Sequence, residues 1–236
     1  MALKMNPPII KEIFEYKDLE KVTLETGYRY YVDPDGNRLS SVTTILSETS
    51  DNPGLLEWRE RVGNRYADAI MVEACNLGTL MHEHLECYVQ NIDRPKGNNI
   101  LRVLSKKMAD QIIENGLPKV NEIWGMEKML YFPGAFAGTT DLVGLHDGKP
   151  AIMDYKSSRK MKTKSKIEDY FCQACAYALA HNFLHGTDIK RGVIFMVDRD
   201  CNYKEFILEG EEFEHYTNLW VSRLELFLKL KNAKSK

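Results

Sequence analysis

Asp141-Leu142-Val143-Gly144-Leu145-His146-Asp147-Gly148-Lys149-Pro150-Ala151-Ile152-Met153-Asp154-Tyr155-Lys156 is the stretch that decides the fold. Asp147-Gly148 is a two-residue hairpin signal, because both central positions of the favoured turn need a positive φ that Asp and Gly tolerate. With those two residues as the loop, His146 faces Lys149 and paired positions sum to 295. Asp141 and Asp154 satisfy the same sum. The register therefore sets the two carboxylates directly opposite each other, as a non-hydrogen-bonded pair with Cα atoms ~4.5 Å apart. Asp154 and Lys156 are two apart on one strand and share a face. Val143, Leu145 and Ile152 on one face, with Leu142, Ala151 and Met153 on the other, predict strands buried on both sides.

Two like charges opposed on a buried sheet are destabilising. A divalent cation compensates them, and hard carboxylate oxygens suit Mg²⁺ or Mn²⁺. Lys156 then stands beside the cation, placed to orient an attacking water or to touch a phosphate. The competing reading is a solvated Asp–Lys surface hairpin, for which the flanking residues are too apolar.

Working outward, Tyr28 to Val32 reads as a strand, Asp35-Gly36 as a turn, and Leu39 to Leu46 as a second strand rich in β-branched residues. Residues 1–27 read as irregular or partly helical. Asn52-Pro53-Gly54 breaks the chain. Residues 55–92 read as helix in one or two pieces, with Leu77, Met81, Leu85 and Tyr88 on one apolar face and His84 turned to solvent. A helix over 100–114 follows, then strands near 122–132, 137–146 and 150–157. Ser165 and Glu168 form a capping box that starts a helix over about 166–185. Strands near 191–198 and 203–208 precede a C-terminal helix with the stripe Phe213, Tyr216, Trp220, Leu224 and Phe227. Lys229 to Lys236 reads as a frayed basic tail. The fold class expected is α/β: a central mixed β-sheet flanked by helices, a restriction-endonuclease-like core, with an N-terminal β-hairpin and helical arch. The chain reads as one domain, with residues 1–75 as hairpin and arch, 76–210 as core and 211–236 as the last helix.

The bulk composition narrows the class. The 236 residues carry a net charge of −2, which argues against a general nucleic-acid coat but leaves room for local basic patches and an acidic metal site. No apolar run approaches the roughly 20 residues that span a bilayer, and the N-terminus lacks a signal-peptide apolar core. A soluble, cytoplasmic monomer is expected, in the host cytoplasm if the chain is phage-encoded. Five cysteines, an odd number, do not make a complete disulfide framework. Cys172-x-x-Cys175 has no second pair at ligand spacing and reads as small buried thiols on a helix.

Asp141…Asp154-Tyr155-Lys156 resembles the D…(D/E)-x-K core of the PD-(D/E)-x-K nuclease superfamily, with Thr140 where that pattern often has Pro. Gly78-Thr79-Leu80-Met81-His82 resembles the G-x-x-x-H helix motif of RecB-type nucleases. Gly138-Thr139-Thr140-Asp141 resembles their G-x-x-D strand motif, and Gln173-x-x-x-Tyr177 their Q-x-x-x-Y helix motif. All stand in the family's order. Gly36-Asn37 and Ser41-Val42-Thr43-Thr44-Ile45-Leu46 look like the N-terminal segment of the genome-maintenance and phage exonuclease group. One branch of the family holds a four-cysteine iron–sulfur cluster. This sequence has no cysteine beyond Cys201 near its end, so none is expected.

The resemblance implies a metal-dependent deoxyribonuclease. Asp141, Asp154, His82 and the Tyr155 carbonyl would hold one or two Mg²⁺ or Mn²⁺ ions, with Lys156, Gln173 and Tyr177 completing the catalytic set. It also implies an exonuclease that prefers single-stranded DNA, acting in repair or replication. A structure-specific DNA endonuclease, a catalytically silent DNA-binding module of the same fold, and a metal enzyme on another phosphorylated substrate are the alternatives. Glu86, one turn after His82, and Glu127, before the Asp141 strand, are further candidates near the metal. Arg159, Lys160, Lys162 and Lys164, with Lys166, crowd the loop after Lys156 and suit a DNA backbone. Ser41, Thr43 and Thr44 are hydroxyl donors for phosphates. Arg59, Arg61 and Arg65 form a candidate second basic edge.

Overall fold

A computed structural model describes residues 7–50 and 53–234. In chain order it contains β1 (Ile9–Ile10), β2 (Glu20–Thr23), β3 (Arg29–Val32), β4 (Arg38–Ser40), α1 (Val42–Glu48), α2 (Pro53–Val62), α3 (Asn64–Val89) and α4 (Ile100–Asn115). These are followed by β5 (Val120–Phe132), β6 (Phe136–His146), β7 (Lys149–Ser158), α5 (Glu168–His185), β8 (Arg191–Asp198), β9 (Tyr203–Glu209) and α6 (Glu211–Lys234). The main sheet has six strands in the order β1-β5-β6-β7-β8-β9, and β2-β3-β4 form a separate antiparallel sheet. β7 and β8 run parallel, joined across one face by α5; β5–β6, β6–β7 and β8–β9 are antiparallel. The expected mixed α/β architecture is the observed one.

Strand alternation divides the core between the two faces of the sheet. Leu142, Met153, Tyr155, Val193 and Phe195 pack with Leu77, Met81 and Leu85 of α3 and Met108 and Ile112 of α4. Val143, Ile152, Ile194 and Met196 pack on the opposite face with α1, α5 and α6. Trp220 of the predicted C-terminal stripe is fully buried there against Phe136. Each large apolar side chain buried this way contributes roughly 1.5–3 kcal/mol. Tyr31 docks the small sheet onto β6 through a 3.1 Å hydrogen bond with Thr139.

The hairpin forms as its sequence requires. His146 pairs with Lys149, and the ladder runs back with the predicted sum as far as Leu142 and Met153. Asp147 and Gly148 hold φ values of 49° and 74°.

Several expectations change. Residues 42–48 form helix α1, not the second half of a strand. Ser41 caps it, its hydroxyl accepting from the Thr44 N–H at 3.0 Å, and Val42, Ile45 and Leu46 present a helical apolar face to the core. Capping and burial outweigh the small β-preference of the Val-Thr-Thr-Ile run. The Ser165–Glu168 capping box does not form. Lys164–Lys166 make a 3-10 turn, Ser165 bonds Thr163, and α5 starts after the buried Ile167 with no side-chain cap. Glu168 and Asp169 in its first turn favour the helix dipole instead.

His84 is buried, not solvated, because it lies three residues after Met81 on the face turned to α4. Residues 229–234 continue α6 rather than fraying. No helix occurs among described residues 7–27, where β1 and β2 stand instead. Of the predicted break, Asn52 lies outside the described residues; Pro53 and Gly54 open α2, with Pro at the first helical position where its missing N–H is harmless. The long helical stretch divides at Gly63, whose φ of 85° is one that L side chains rarely adopt. Cys172 and Cys175 are buried thiols on α5, pushed up to about 12 by burial, as structural cysteines should be. No helix among the described residues is long and apolar enough to cross a membrane.

Candidate metal and active site

The site sits at a fork in the sheet. β6 and β7 stop pairing at Leu142 and Met153, one position short of Asp141 and Asp154. Beyond that point β6 stays with β5, and β7 stays with β8 as far as Ser158. The two acids therefore hold the opposed positions expected from the register, but they stand where the strands separate rather than inside the ladder. Backbone groups freed by the separation are taken by side chains. The Tyr155 N–H donates to Asp141 Oδ2 at 2.7 Å, and the Tyr155 carbonyl accepts from His82 Nε2 at 3.0 Å. Tyr155 thus contributes its backbone on the site side while its ring is buried on the α3–α4 face.

The His82 contact fixes which ring nitrogen donates. A carbonyl can only accept, so Nε2 is the donor in this contact and Nδ1 is left facing Asp141. Nδ1 lies 3.7 Å from Asp141 Oδ2, a separation too long for a hydrogen bond. The Tyr155 carbonyl therefore fixes the orientation of the His82 ring.

Asp154 and Lys156 share a face of β7, and the ammonium lies 2.5 Å from Asp154 Oδ2. That oxygen is buried and receives no well-directed hydrogen bond. Burial raises the Asp154 carboxyl to about 6, with Lys156 opposing and the Asp141 charge adding. For Lys156, burial pulls the ammonium down, but Asp154 and Asp141 together hold it above its ordinary value.

Glu127 completes a row of acids. β5 pairs with β6 at Met126–Leu142 and again at Lys128–Thr140, so Glu127 stands opposite Asp141. The ladder skips it. Its φ of 51° is left-handed, a conformation that a non-glycine residue holds only where its surroundings impose it. Its carboxylate, with His82 and Glu86, offers three ligand atoms within 4.8 Å of one another. Although the Glu127 side chain is exposed, desolvation within the pocket, with Asp141 and Glu86 nearby, raises its carboxyl to about 7. Glu86 is raised as well, first by desolvation and then by the Asp141 charge.

Ser41, Thr43, His82, Glu86, Glu127, Asp141, Asp154, Lys156, Gln173 and Tyr177 all line one pocket of about 600 Å³. Gln173 donates to the Tyr177 hydroxyl at 3.2 Å. The Tyr177 ring lies against Gly138, where any side chain would meet it: a Cβ there would stand 2.6 Å from Tyr177 Cε1. The Gly of the G-x-x-D motif and the Tyr of the Q-x-x-x-Y motif are therefore one packing pair.

The basic loop is not part of this pocket. Lys162 donates to the Tyr170 hydroxyl at 2.8 Å, Lys164 is held by Glu212 of α6, and Arg159 and Lys160 are exposed. Arg59 is paired with Asp68. Sequence reasoning missed Lys21 and Arg29 of the small sheet, which bring two positive charges to the pocket wall. The available signal was the two-residue spacing of Arg29 and Tyr31, which puts both on the strand face that carries Tyr31 to β6.

The donor set fits a hard divalent cation: clustered carboxylates and one oriented imidazole. No protein-family model matches the chain, and neither does any curated protein. Among solved structures it is similar to exonucleases. One is a "putative exonuclease" from Eubacterium rectale, at a TM-score of 0.49 and 13% identity, with 68% of each chain covered. Another is an alkaline exonuclease from Laribacter hongkongensis, at a TM-score of 0.31 and 17% identity, covering 67% of this chain and 86% of that one. The likeness is distant, and the roles of individual residues are read from their own geometry.

Proposed function

We propose that this chain is a divalent-metal-dependent nuclease that hydrolyses DNA phosphodiester bonds, working from the ends of single strands. The observation that carries this reading is the sheet fork. It gathers Asp141, Asp154, Lys156 and His82 around one pocket and gives His82 and Asp141 fixed backbone partners. Asp141, Asp154 and His82 would hold Mg²⁺ or Mn²⁺, and Glu86 and Glu127 extend the donor set on the α3 side. When bound, the cation supplies Lewis acidity, which makes a coordinated water a nucleophile and polarises the phosphoryl oxygens. Lys156 orients the nucleophile and stabilises the negative charge that develops on the phosphate. Lys21 and Arg29 draw the strand backbone to the pocket. The preference for a free single-stranded end follows from the sequence resemblance and suits a pocket walled by the small sheet on one side and α3 on the other.

The test is digestion of end-labelled linear and circular DNA, single- and double-stranded, with Mg²⁺ or Mn²⁺. Wild-type protein should degrade linear single strands and spare circles. Asp154→Ala and Lys156→Ala should each lower the rate by at least about a thousandfold, while circular dichroism shows both proteins folded. Cleavage of circles would assign an endonuclease. Wild-type rates in either variant would overturn the catalytic assignment.

A further inference from the structure

Beside the metal pocket lies a second cleft of about 430 Å³, formed by α1, the start of α2 and the first turn of α5. Thr43 and Gln173 line both, so the cleft adjoins the site. Leu46, Leu56 and Tyr170 give it apolar walls; Ser47, Ser50 and Asp169 give it a polar rim. Leu56 is 65% exposed, a large apolar side chain turned outward on α2.

The cleft is braced from behind. Arg223 of α6 donates to the Leu46 carbonyl and the Thr49 hydroxyl, each at 2.6 Å, and to Asp169 at 3.1 Å, tying its α1 and α5 walls together. Tyr170 has two ammonium groups beside it, one of them, Lys162, donating to its hydroxyl at 2.8 Å. Lys156 lies 5.1 Å and Lys162 4.8 Å from its ring centroid. An aromatic ring with ammonium groups beside it, one of them Lys156, offers a nucleic-acid strand both a surface on which a base can stack and partners for its phosphates.

We propose that this cleft is a nucleobase subsite: the base of a nucleotide flanking the scissile phosphate stacks on Tyr170 between Leu46 and Leu56. The proposal rests on the nuclease reading of the adjoining pocket. The apolar walls take the face of any base, while the rim offers hydroxyls and a carboxylate to its polar edge. Such a site anchors the strand with little regard to sequence, because every base has a stacking face.

Linear single-stranded oligonucleotides carrying one abasic residue, moved stepwise along the strand, test it. With wild-type protein, hydrolysis should slow roughly five- to a hundredfold when the abasic residue flanks the phosphate being cut, and at no other position, as expected for the loss of one base–aromatic stack. Tyr170→Leu and Leu56→Ser should slow cleavage of intact DNA but leave cleavage beside the abasic residue at the wild-type rate. If Tyr170 only steadies Lys156, Tyr170→Leu will depress both substrates equally, and that outcome overturns the subsite. So does wild-type cleavage that ignores the abasic position. Failure of wild-type protein to cut any DNA is a different result, one that removes the nuclease reading and the subsite together.

Discussion

Glu127 should make metal binding depend on pH in a way that one substitution removes. Its carboxyl is raised to about 7 by desolvation and by Asp141 and Glu86, and only the ionised form can ligate a cation. At pH 6 about one molecule in eleven has this carboxylate ionised; at pH 8 about ten in eleven do. Apparent Mn²⁺ affinity should therefore climb roughly tenfold from pH 6 to pH 8 through Glu127 alone, and binding at pH 7 should release about half a proton from it. Glu86, raised by the same causes, adds to the rise. Titration calorimetry at pH 6, 7 and 8, repeated in buffers of different ionisation enthalpy, reads both quantities. Glu127→Gln should bind more weakly at pH 8 and lose most of the pH slope and the proton release. An unchanged slope in Glu127→Gln would show that this side chain does not reach the cation. The same ionisation acts on folding with the opposite sense. A carboxyl raised in the folded state contributes stability that is complete below about 4.5 and lost as pH rises through about 7. In metal-free protein Glu127→Gln should recover on the order of 1 kcal/mol at pH 8, a figure already discounted for the part of the side chain that water reaches.

Other expectations are simpler. Ser41→Ala removes the cap of α1 and should cost about 1 kcal/mol, read as a lower urea midpoint with an unchanged slope. Gly138→Ala pushes a methyl group into the Tyr177 ring and should destabilise by roughly 1–3 kcal/mol, with a fall in kcat that a Tyr177→Phe background does not relieve, since the ring carbon is the nearer contact. Lys160→Ala and Lys162→Ala test the basic loop. Measured on a Lys156→Ala background that binds without cutting, each should reduce the dependence of log affinity on log salt by about 0.7 if the loop meets the DNA backbone, and leave it unchanged if it does not.

Asp147-Gly148 fixed a register that could be counted outward, so Asp141, Asp154 and Lys156 were legible before any coordinates. Apolar periodicity placed α3, while α5 was placed from a capping box that does not form; His82, Gln173 and Tyr177 were named by the motif resemblance, not by periodicity. What stayed hidden depended on contacts distant in the chain. The β-branched run after Ser41 looked extended because its buried helical face is defined only by α5 and α6. Nothing local announces that Glu127 adopts a left-handed φ at a position the β5–β6 ladder skips. Lys21 and Arg29 reach the site only because the small sheet docks through Tyr31. The divergence of β6 and β7 was equally invisible, because a register predicts which residues oppose each other and not where two strands part.

Arg223 has a consequence for how the molecule comes into being. The residues that line the two clefts lie between positions 21 and 177, yet the guanidinium that clamps α1 to α5 belongs to α6, further along the chain. During synthesis the sheet and its acids emerge before this brace does. A chain halted before residue 223 should keep its acidic fork but lack the brace that joins α1 to α5.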